Sequence, residues 1–486
     1  MDEKHLVFRI ETKKFGRKFY TKLLASILIL SLAATVLQVE AQIPRRDPDW
    51  STPDEATDLA VSADGSLIAA ATLEGIKVYD ATGSLLWSWS QDNCDLRAVR
   101  VSDDGNVVVA ALENTTSKTS HLLYWKNAKT LRGHPQPIWG SENLGNLWIR
   151  HKLLDVSSDG NQVVVIADRR KVFYWNNALT LSGFNKPATW TDDPLDSLEN
   201  VDISDDGDIT IIIGVFTTYD NEIYHDHYSV VVYKGCKSRT GIQGKNYDLR
   251  FDFDGIDYYS GRIALSDNGK YLVASLGMAD RYCIYFFNTS MVGDWAPQWS
   301  YELNGNEQVE ALDISSDGNT IVAVTNELDG LSPCDLLIFQ AAASKMGDVS
   351  SADYEFTLAS HYTHREYDDV SVDGAGRLAA AGTGDYLFAV NATTGEPLWL
   401  YNGTYTRVSM FVRVSEDGRV VASAGYEVDS LYYFTVYAPM PVGGYIIPAD
   451  TLMPASTTLG TTVPLLILGL TAAAALTVAI KKKINP

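Results

Sequence analysis

Cysteine is scarce in this chain of 486 residues, which contains only Cys94, Cys236, Cys283 and Cys334. Four cysteines are too few for a disulfide framework in a chain of this length. One or two bridges remain open, and the sequence does not decide which residues would pair. Cys283 and Cys334 occupy like positions in two successive repeats described below, which favours two buried thiols over a bond between them.

Basic residues are also few, with 39 Lys and Arg against 61 Asp and Glu and a net charge of −22. The cations gather at the ends, because residues 1–22 carry +4 and Lys481–Lys483 add +3. With Glu40 also set aside, residues 42–480 hold a net charge of −28. A surface this acidic repels phosphate backbones, so the composition argues against nucleic-acid binding.

Catalytic motifs are missing from the sequence. No Ser-His-Asp set, nucleophile elbow or glycine-rich phosphate loop can be isolated. Any two of the 61 acidic residues can be paired on paper, so no carboxylate pair stands out as a general acid and base. The sequence therefore predicts no catalytic residue and no bound cofactor, apart from a candidate Ca²⁺ loop considered below.

Long apolar runs are limited to two, one near each end. Leu23–Leu37 follows a basic stretch and precedes Val39-Glu40-Ala41, the layout of a secretory signal peptide. An uncleaved anchor is the alternative. Thr461–Ile480 is uncharged, long enough to span a bilayer and followed by three lysines that should stay cytoplasmic. The predicted order is signal peptide (1–41), extracellular domain (46–440), stalk (441–460), transmembrane helix (461–480) and cytoplasmic tail (481–486).

The main positive feature is a short phrase that recurs eight times. Each copy has a β-branched residue or Leu, a Ser, one or two polar positions, Asp-Gly or a variant, and an apolar run. Asp-Gly and Asn-Gly supply the positive φ that a tight hairpin needs, so each copy predicts strand, turn, strand. Such β-type units at intervals of roughly 40–60 residues are typical of a β-propeller. The copies begin at Val61, Val101, Val156, Ile203, Leu265, Ile314, Val370 and Val414.

Each repeat predicts a blade of four strands, and in five of the repeats the outermost strand carries a tryptophan. A proline ahead of several of these tryptophans fits an edge strand with unpaired N–H groups. The last repeat lacks such a strand, whereas Trp50, upstream of the first repeat, lies in a similar context to Trp190. We predict that the Trp50 segment supplies the missing strand and closes the ring. The expected fold is an all-β, eight-bladed propeller, with seven blades as the alternative if the divergent fourth copy is an insertion.

These repeats resemble the WD40-like and PQQ-like propeller repeats of archaeal cell-surface proteins. The resemblance rests on the Ser-x-Asp-Gly phrases, the Tyr79–Trp87 and Asn391–Trp399 runs, and the Pro441–Tyr445 tail before the apolar segment. It implies a propeller held at the cell surface by a C-terminal membrane anchor. The Gly-His and Trp-Asp dipeptides of WD40 blades do not recur, and no two cysteines are adjacent as in PQQ-dependent dehydrogenases. Partners and cofactors of those families are therefore not implied.

Three groups of residues are candidate metal sites. Asp252, Asp254 and Asp257 have a spacing that resembles a Ca²⁺ loop, although the closing glutamate is missing, and a solvated turn is the alternative. His225 and His227 would share one face of a strand, but no third ligand is identifiable. The remaining group is His361 and His364 with their acidic neighbours.

The repeated Asp-Gly carboxylates favour turn formation over a ring of cation ligands, because each lies at the same place in its blade. The residues compared in this way are Asp64, Asp104, Asp159, Asp206, Asp317, Asp373 and Asp417.

Four sequons predict N-glycosylation of an exported domain. They begin at Asn114, Asn288, Asn391 and Asn402.

Repetition without catalytic motifs favours a membrane-anchored extracellular propeller that binds or scaffolds a protein or glycan partner. Tyr219–Tyr228 is the preferred recognition loop and Asn326–Ser332 a second one. One alternative is a PQQ-like or metal-dependent enzyme that uses the central channel. Another is a structural component of a surface coat.

Overall fold

The computed structural model describes most of the chain between residues 43 and 435, and the predicted signal peptide, stalk, span and tail lie outside the described residues. No helix among the described residues is long and apolar enough to cross a membrane. The described ranges are 43–54, 56–72, 74–147, 152–220, 223–253, 261–278, 281–291, 295–303, 307–327, 334–358, 369–383, 386–402, 411–425 and 430–435.

The described residues form eight sheets, each built on four antiparallel strands, which confirms the prediction of eight blades. Blade 1 has β2 (Ala56–Val61), β3 (Leu67–Thr72), β4 (Gly75–Asp80) and β5 (Leu85–Trp89). Blade 2 has β6 (Cys94–Val101), β7 (Val107–Asn114), β8 (Thr119–Lys126) and β9 (Trp139–Ser141). Blade 3 has β10 (Leu154–Val156), β11 (Val163–Ala167), β12 (Lys171–Trp175) and β14 (Trp190–Asp192). Blade 4 has β15 (Ser197–Ile203), β16 (Ile209–Asp220), β17 (Ile223–Lys234) and β19 (Leu249–Phe253).

The second half of the chain repeats the pattern. Blade 5 has β20 (Arg262–Leu265), β21 (Tyr271–Met278), β22 (Arg281–Asn288) and β23 (Trp299–Glu302). Blade 6 has β24 (Glu307–Ile314), β25 (Ile321–Glu327), β26 (Cys334–Phe339) and β28 (Tyr354–Leu358). Blade 7 has β29 (Asp369–Val372), β30 (Leu378–Gly382), β31 (Tyr386–Asn391) and β32 (Glu396–Asn402). Blade 8 has β33 (Phe411–Val414), β34 (Val420–Gly425), β35 (Ser430–Thr435) and, from the other end of the chain, β1 (Trp50–Thr52).

The ring is closed by the first strand, as the sequence predicts. β1 pairs antiparallel with β35, with Ser51 opposite Tyr432. The innermost strand of each blade contacts that of the next, and the innermost strand of blade 8 contacts that of blade 1. Trp50 stacks on Tyr433 of its own blade, with ring centroids 4.9 Å apart, and donates from Nε1 to the carbonyl of Ala81 in blade 1 at 3.1 Å.

The hydrophobic core lies between neighbouring blades, which pack face to face. Small residues of the second strand make this close approach possible, and Ala69, Ala70 and Ala71 of β3 have no exposed surface. Cys236, Cys283 and Cys334 are buried and Cys94 is partly buried, and none of the four forms a disulfide. The possible disulfides are therefore absent from the structure.

The Ser-x-Asp-Gly phrase forms the turn between the first and second strands, as expected. In blade 1, Asp64 accepts the hydroxyl of Ser62 at 2.7 Å and the backbone N–H of Ser66 at 3.0 Å. The Ser62 hydroxyl accepts the N–H of Leu67 at 3.0 Å. Gly65 has φ +65°, and a Cβ there would lie 2.4 Å from Val420 of blade 8, so this position requires glycine. The carboxylates thus satisfy local N–H groups.

The seventh repeat departs from its prediction. Asp373 does not occupy the place of Asp64, because it takes the place of the turn serine instead. The backbone N–H of Asp373 donates to the carbonyl of Leu378, and its carboxylate accepts the Leu378 N–H at 2.8 Å. Ser62 forms the same two hydrogen bonds with Leu67 in blade 1. Gly376, with φ +67°, is the turn glycine, and Asp373 has no exposed surface. The sequence alignment was wrong because Asp373-Gly374 imitates the Asp-Gly turn two residues too early.

The outer edges of several blades are also not as predicted, because they are covered. A segment from the next blade runs parallel to the outermost strand and pairs with it. Similar single bridges join Trp87 to Gly133 and Arg45 to Leu400. The covering strands are β13 (Gly183–Lys186) on β9, β18 (Gly241–Ile242) on β14 and β27 (Gly347–Val349) on β23.

The outer tryptophans join consecutive blades. In four blades the indole Nε1 donates to a carbonyl in the connection that precedes the last strand of the next blade, where a short 3-10 turn starts after a residue with positive φ. Trp87 donates to Ala128, Trp139 to Ala178, Trp190 to Cys236 and Trp299 to Ala342, at 2.8–3.1 Å. The aromatic position is therefore a docking contact between blades.

Candidate functional site: the channel and an extended hairpin

The wall of the channel is formed by the innermost strands and carries charges of both signs. Arg100 pairs with Asp58 of blade 1 at 2.6 Å and approaches Asp155 of blade 3 at 3.7 Å. Lys152 lies between Asp155 and Asp202, at 3.3 and 2.6 Å. These charges compensate one another across four blades, so this part of the wall is a structural network.

The same carboxylates connect the blades through the backbone. Asp58 accepts the N–H of Val99 in blade 2 at 3.0 Å. Four equivalent hydrogen bonds, each from a backbone N–H to a carboxylate of the preceding blade, measure 2.9–3.1 Å. They join Ile203 to Asp155, Leu265 to Asp202, Val372 to Asp313 and Val412 to Asp369. Because a buried N–H without a partner is costly, these carboxylates stabilise the ring.

The pair Asp155 and Asp202 behaves as one unit. Burial and the neighbouring charge of Asp155 raise the pKa of Asp202 well above its ordinary value, although Lys152 opposes this. Burial alone would raise the pKa of Asp155 as well, but the charge of Lys152 and a hydrogen bond from Asp202 lower it. One proton shared between the two carboxylates is the arrangement that this geometry favours.

One mouth of the channel is rimmed by the residues that follow the turn serines. Their backbone groups form blade-to-blade hydrogen bonds, such as Ala63 N–H to Asp103, Asp103 N–H to Ser158 and Ser158 N–H to Asp205, at 2.9–3.0 Å. Four of these positions carry acids, which we call the mouth carboxylates: Asp103, Asp205, Asp267 and Glu416.

The mouth carboxylates raise one another's pKa values. Crowding by the surrounding protein and then the charge of Asp267 raise the pKa of Asp103 to about 6, although part of its side chain faces solvent. The same two causes raise the pKa of Asp205 to about 7. Burial and Asp267 raise the pKa of Glu416 to about 8, against a hydrogen bond that Glu416 accepts from the Ser316 hydroxyl. This mouth therefore holds protons near neutral pH.

Sequence reasoning missed the mouth carboxylates because it considered the Asp of Asp-Gly instead of the residue before it. The signal was present: this position reads Asp in three repeats and Glu in a fourth. Among the described residues, no group of three or more Asp, Glu, His or Cys side chains is arranged to hold a metal ion.

The end of the sheets opposite the mouth carboxylates bears an extended hairpin in blade 4. β16 and β17 stay paired with each other out to Asp220 opposite Ile223. The neighbouring strands are shorter: β15 pairs with β16 only as far as Val215, and β19 pairs with β17 only as far as Tyr228. Five pairs of residues thus extend past the blade as a two-stranded ribbon, about 17 Å long at the usual rise per residue. We call residues 216–227 the extended hairpin.

The base of the extended hairpin is held by aromatic contacts. The Phe216 ring stacks on His227 with centroids 4.9 Å apart, and the Arg250 guanidinium lies over Phe216 at 4.2 Å. Thr218 and His227 form a side-chain hydrogen bond of 2.9 Å. Tyr219, further out, is 62% exposed. The extended hairpin thus presents an exposed tyrosine on a ribbon whose base is held by side-chain contacts.

The predicted metal ligands are only partly within the described residues. Asp252 is exposed on β19, where it accepts the Ser229 hydroxyl at 2.5 Å and pairs with Arg250. Asp254 and Asp257 lie outside the described residues, so the Ca²⁺ loop stays a prediction. His225 is opposite Thr218 in the extended hairpin, while His361 and His364 also lie outside the described residues.

The sequons differ in accessibility. Asn114 is partly exposed, and its oxygen accepts the N–H groups of Thr116 and Ser117. Asn288 is partly exposed at the end of β22. Asn391 is 7% exposed. Asn402 ends β32. The recognition loop predicted at Asn326–Ser332 lies mostly outside the described residues.

Comparison with known proteins supports the fold. No protein-family model matches this chain, and no curated protein matches it. Among solved structures, the Dos1 propeller covers 81% of this chain and 94% of its own, with a TM-score of 0.55 and 8% identity. The C-terminal WD40 domain of Sif2 covers 82% of this chain and 99% of its own, with a TM-score of 0.55 and 10% identity. At such identity the likeness shows the fold alone, which is a β-propeller similar to those of WD40 domains.

Proposed function

We propose that this chain is a membrane-anchored extracellular propeller that binds a protein or glycan partner and holds it at the cell surface. The observation that carries the proposal is the extended hairpin, a two-stranded ribbon with an exposed Tyr219 that projects from a closed ring. Propellers commonly serve as interaction scaffolds, and recognition by such rings depends on elements that project from the blades. The predicted signal peptide and the apolar segment 461–480 support the surface location.

The described part of the channel favours scaffolding over catalysis. The wall carboxylates Asp58, Asp155, Asp202 and Asp369 each accept a backbone N–H of the next blade and pair with a cation or with one another. Groups engaged in this way maintain the ring and are poorly placed to exchange protons with a substrate.

The test compares three forms of the full-length protein, solubilised from membranes and immobilised as bait for a surface extract of its host and for a glycan array. The first is the native chain. In the second, Asn-Gly replaces residues 217–226 and joins Phe216 to His227 by a tight turn. In the third, a matched control, Asn-Gly replaces Asp168-Arg169-Arg170, a turn at the same end of blade 3.

We expect the native and control chains to retain the same ligand and the shortened hairpin to lose it, with an unchanged thermal midpoint. The proposal is wrong if all three forms retain the same ligands, or if the native chain retains none. Self-association of the native chain, lost with the shortened hairpin, would support the surface-coat alternative instead.

A further inference from the structure

The connections between the third and fourth strands of blades 2, 3 and 4 form a basic surface on an acidic protein. They comprise residues 127–138, 176–189 and 235–248, which we call the basic rim. The rim contains one acidic residue, Asp248, and six basic residues: Lys129, Arg132, Lys186, Lys237, Arg239 and Lys245. The matching connections of blades 5 and 6, residues 289–298 and 340–353, each carry net negative charge.

The three connections lie side by side. β13 of the blade 3 connection pairs with β9 of blade 2, and β18 of the blade 4 connection pairs with β14 of blade 3. Asn176 also donates from Nδ2 to the carbonyl of Lys237 at 2.8 Å. The basic rim is therefore one continuous arc along the edge of the ring.

Each connection also exposes one large apolar side chain. Ile138, Phe184 and Ile242 are 39%, 60% and 84% exposed. Each belongs to a different blade connection. Ile138 and Phe184 lie close together, because the Gly183 N–H donates to the Ile138 carbonyl at 2.9 Å. Apolar side chains among Lys and Arg are typical of surfaces that enter the headgroup region of a bilayer.

Several of the cations are available to a ligand. Lys129 and Lys237 form ion pairs with turn carboxylates, at 3.2 and 3.5 Å. Arg132, Lys186 and Lys245 form no ion pair with the described residues. Free cations at an exposed edge interact with anionic lipid at about 1 kcal/mol each, or about five-fold in equilibrium.

The chain leaves the propeller on the side of the ring that bears the basic rim. In every blade the third strand ends where the connection to the fourth begins, and the last residue of the third strand in blade 8 is Thr435. From there, 25 residues (436–460) precede the predicted membrane span. A segment of that length spans at most about 90 Å when fully extended.

We propose that the basic rim rests on an anionic lipid bilayer, with Phe184 and Ile242 entering the headgroup region and the extended hairpin directed away from it. This proposal adds to the proposed function and rests on its membrane anchoring, but not on the hairpin's ligand. The face with the mouth carboxylates would then lie near the membrane and the recognition ribbon far from it.

The test uses the full-length chain reconstituted in two sets of vesicles, phosphatidylcholine alone and phosphatidylcholine with phosphatidylglycerol. An environment-sensitive fluorophore is attached through Ile242→Cys, in a Cys94→Ser background because the other three cysteines are buried. Tyr219→Cys on the extended hairpin provides the matched label on the opposite side. Flotation of the vesicles reports separately whether the chain is membrane-bound.

We expect the emission at position 242 to move to shorter wavelength in anionic vesicles only, and the emission at position 219 to stay unchanged. Lys186→Glu with Lys245→Glu should abolish the shift, since each lysine contributes about five-fold, whereas Lys118→Glu on the opposite side should preserve it. Flotation without a shift at position 242 overturns the rim proposal and leaves the anchor intact. Failure to float with either lipid overturns both, and flotation with anionic vesicles alone overturns the anchor and with it the orientation proposed here.

Discussion

The mouth carboxylates make the stability of the propeller depend on pH in a direction that a simple acid-denaturation argument would miss. Glu416 binds its proton more tightly in the folded chain, with a pKa of about 8 against an ordinary 4.5. Such a group contributes stability that is complete below about pH 4.5 and is lost as the pH rises through 8. Asp103 and Asp205, with pKa values of about 6 and 7, act in the same direction.

The turn carboxylates act in the opposite direction. Hydrogen bonds from serine hydroxyls and backbone N–H groups outweigh burial and lower the pKa of Asp64, Asp104, Asp206 and Asp317. Their contribution is present above about pH 4 and is lost in more acidic solution. The two sets together predict a stability maximum near pH 4, followed by a gradual decline toward pH 8.

Substitution of one residue separates the two effects. If Glu416 were fully buried, its raised pKa would correspond to nearly 5 kcal/mol, at about 1.4 kcal/mol for each pH unit. The residue is only partly buried, so we expect about 1–2 kcal/mol between pH 5.5 and pH 8.5. Glu416→Gln should therefore flatten the decline of the thermal midpoint over this range.

The assay is differential scanning fluorimetry of the full-length protein across the pH range, with Glu142→Gln as the matched exposed control. The native chain and the control should both lose stability toward pH 8.5. Equal slopes for the native chain and Glu416→Gln would refute the reasoning, as would a native chain that is more stable at pH 8.5 than at pH 5.5.

Two further predictions concern contacts between blades. Trp50→Phe keeps a ring on Tyr433 but removes the N–H that donates to Ala81, so guanidinium unfolding should show a loss of about 1 kcal/mol; no loss would show that the hydrogen bond does not contribute. Asp58→Asn leaves Arg100 with only its longer contact to a carboxylate, so we expect a loss of about 3–5 kcal/mol in the same assay. A loss below 1 kcal/mol would mean that the ion pair is replaceable.

Most of the ring could be predicted from the sequence because the repeated turns and the outer tryptophans are local signals. Even the origin of the closing strand was visible, since Trp50 has the context of Trp190. The register of the seventh repeat was not, because Asp373-Gly374 and Gly376 offer two competing turn positions and only pairing with Leu378 decides between them. The sequence around the turn allows either position, and the pairing of strands in the sheet selects one of them.

The remaining features depend on contacts between blades, which a single sequence does not display. The parallel segments that cover β9, β14 and β23 have no pattern of their own, because two to four residues suffice to form them. The mouth carboxylates become a group only when the ring brings together residues as distant as Asp103 and Glu416. The extended hairpin was anticipated as a recognition loop from its tyrosines, but its paired length was not.

Oxidative cross-linking of Ser51→Cys with Tyr432→Cys tests the closed ring most directly, because these residues face each other between the first and last described strands. We predict a 51–432 disulfide in monomeric protein, identified by mass spectrometry of the joined peptides, and none with the matched pair Ser51→Cys and Ser117→Cys. Free thiols at both 51 and 432 in folded protein would contradict the closure on which the whole account depends.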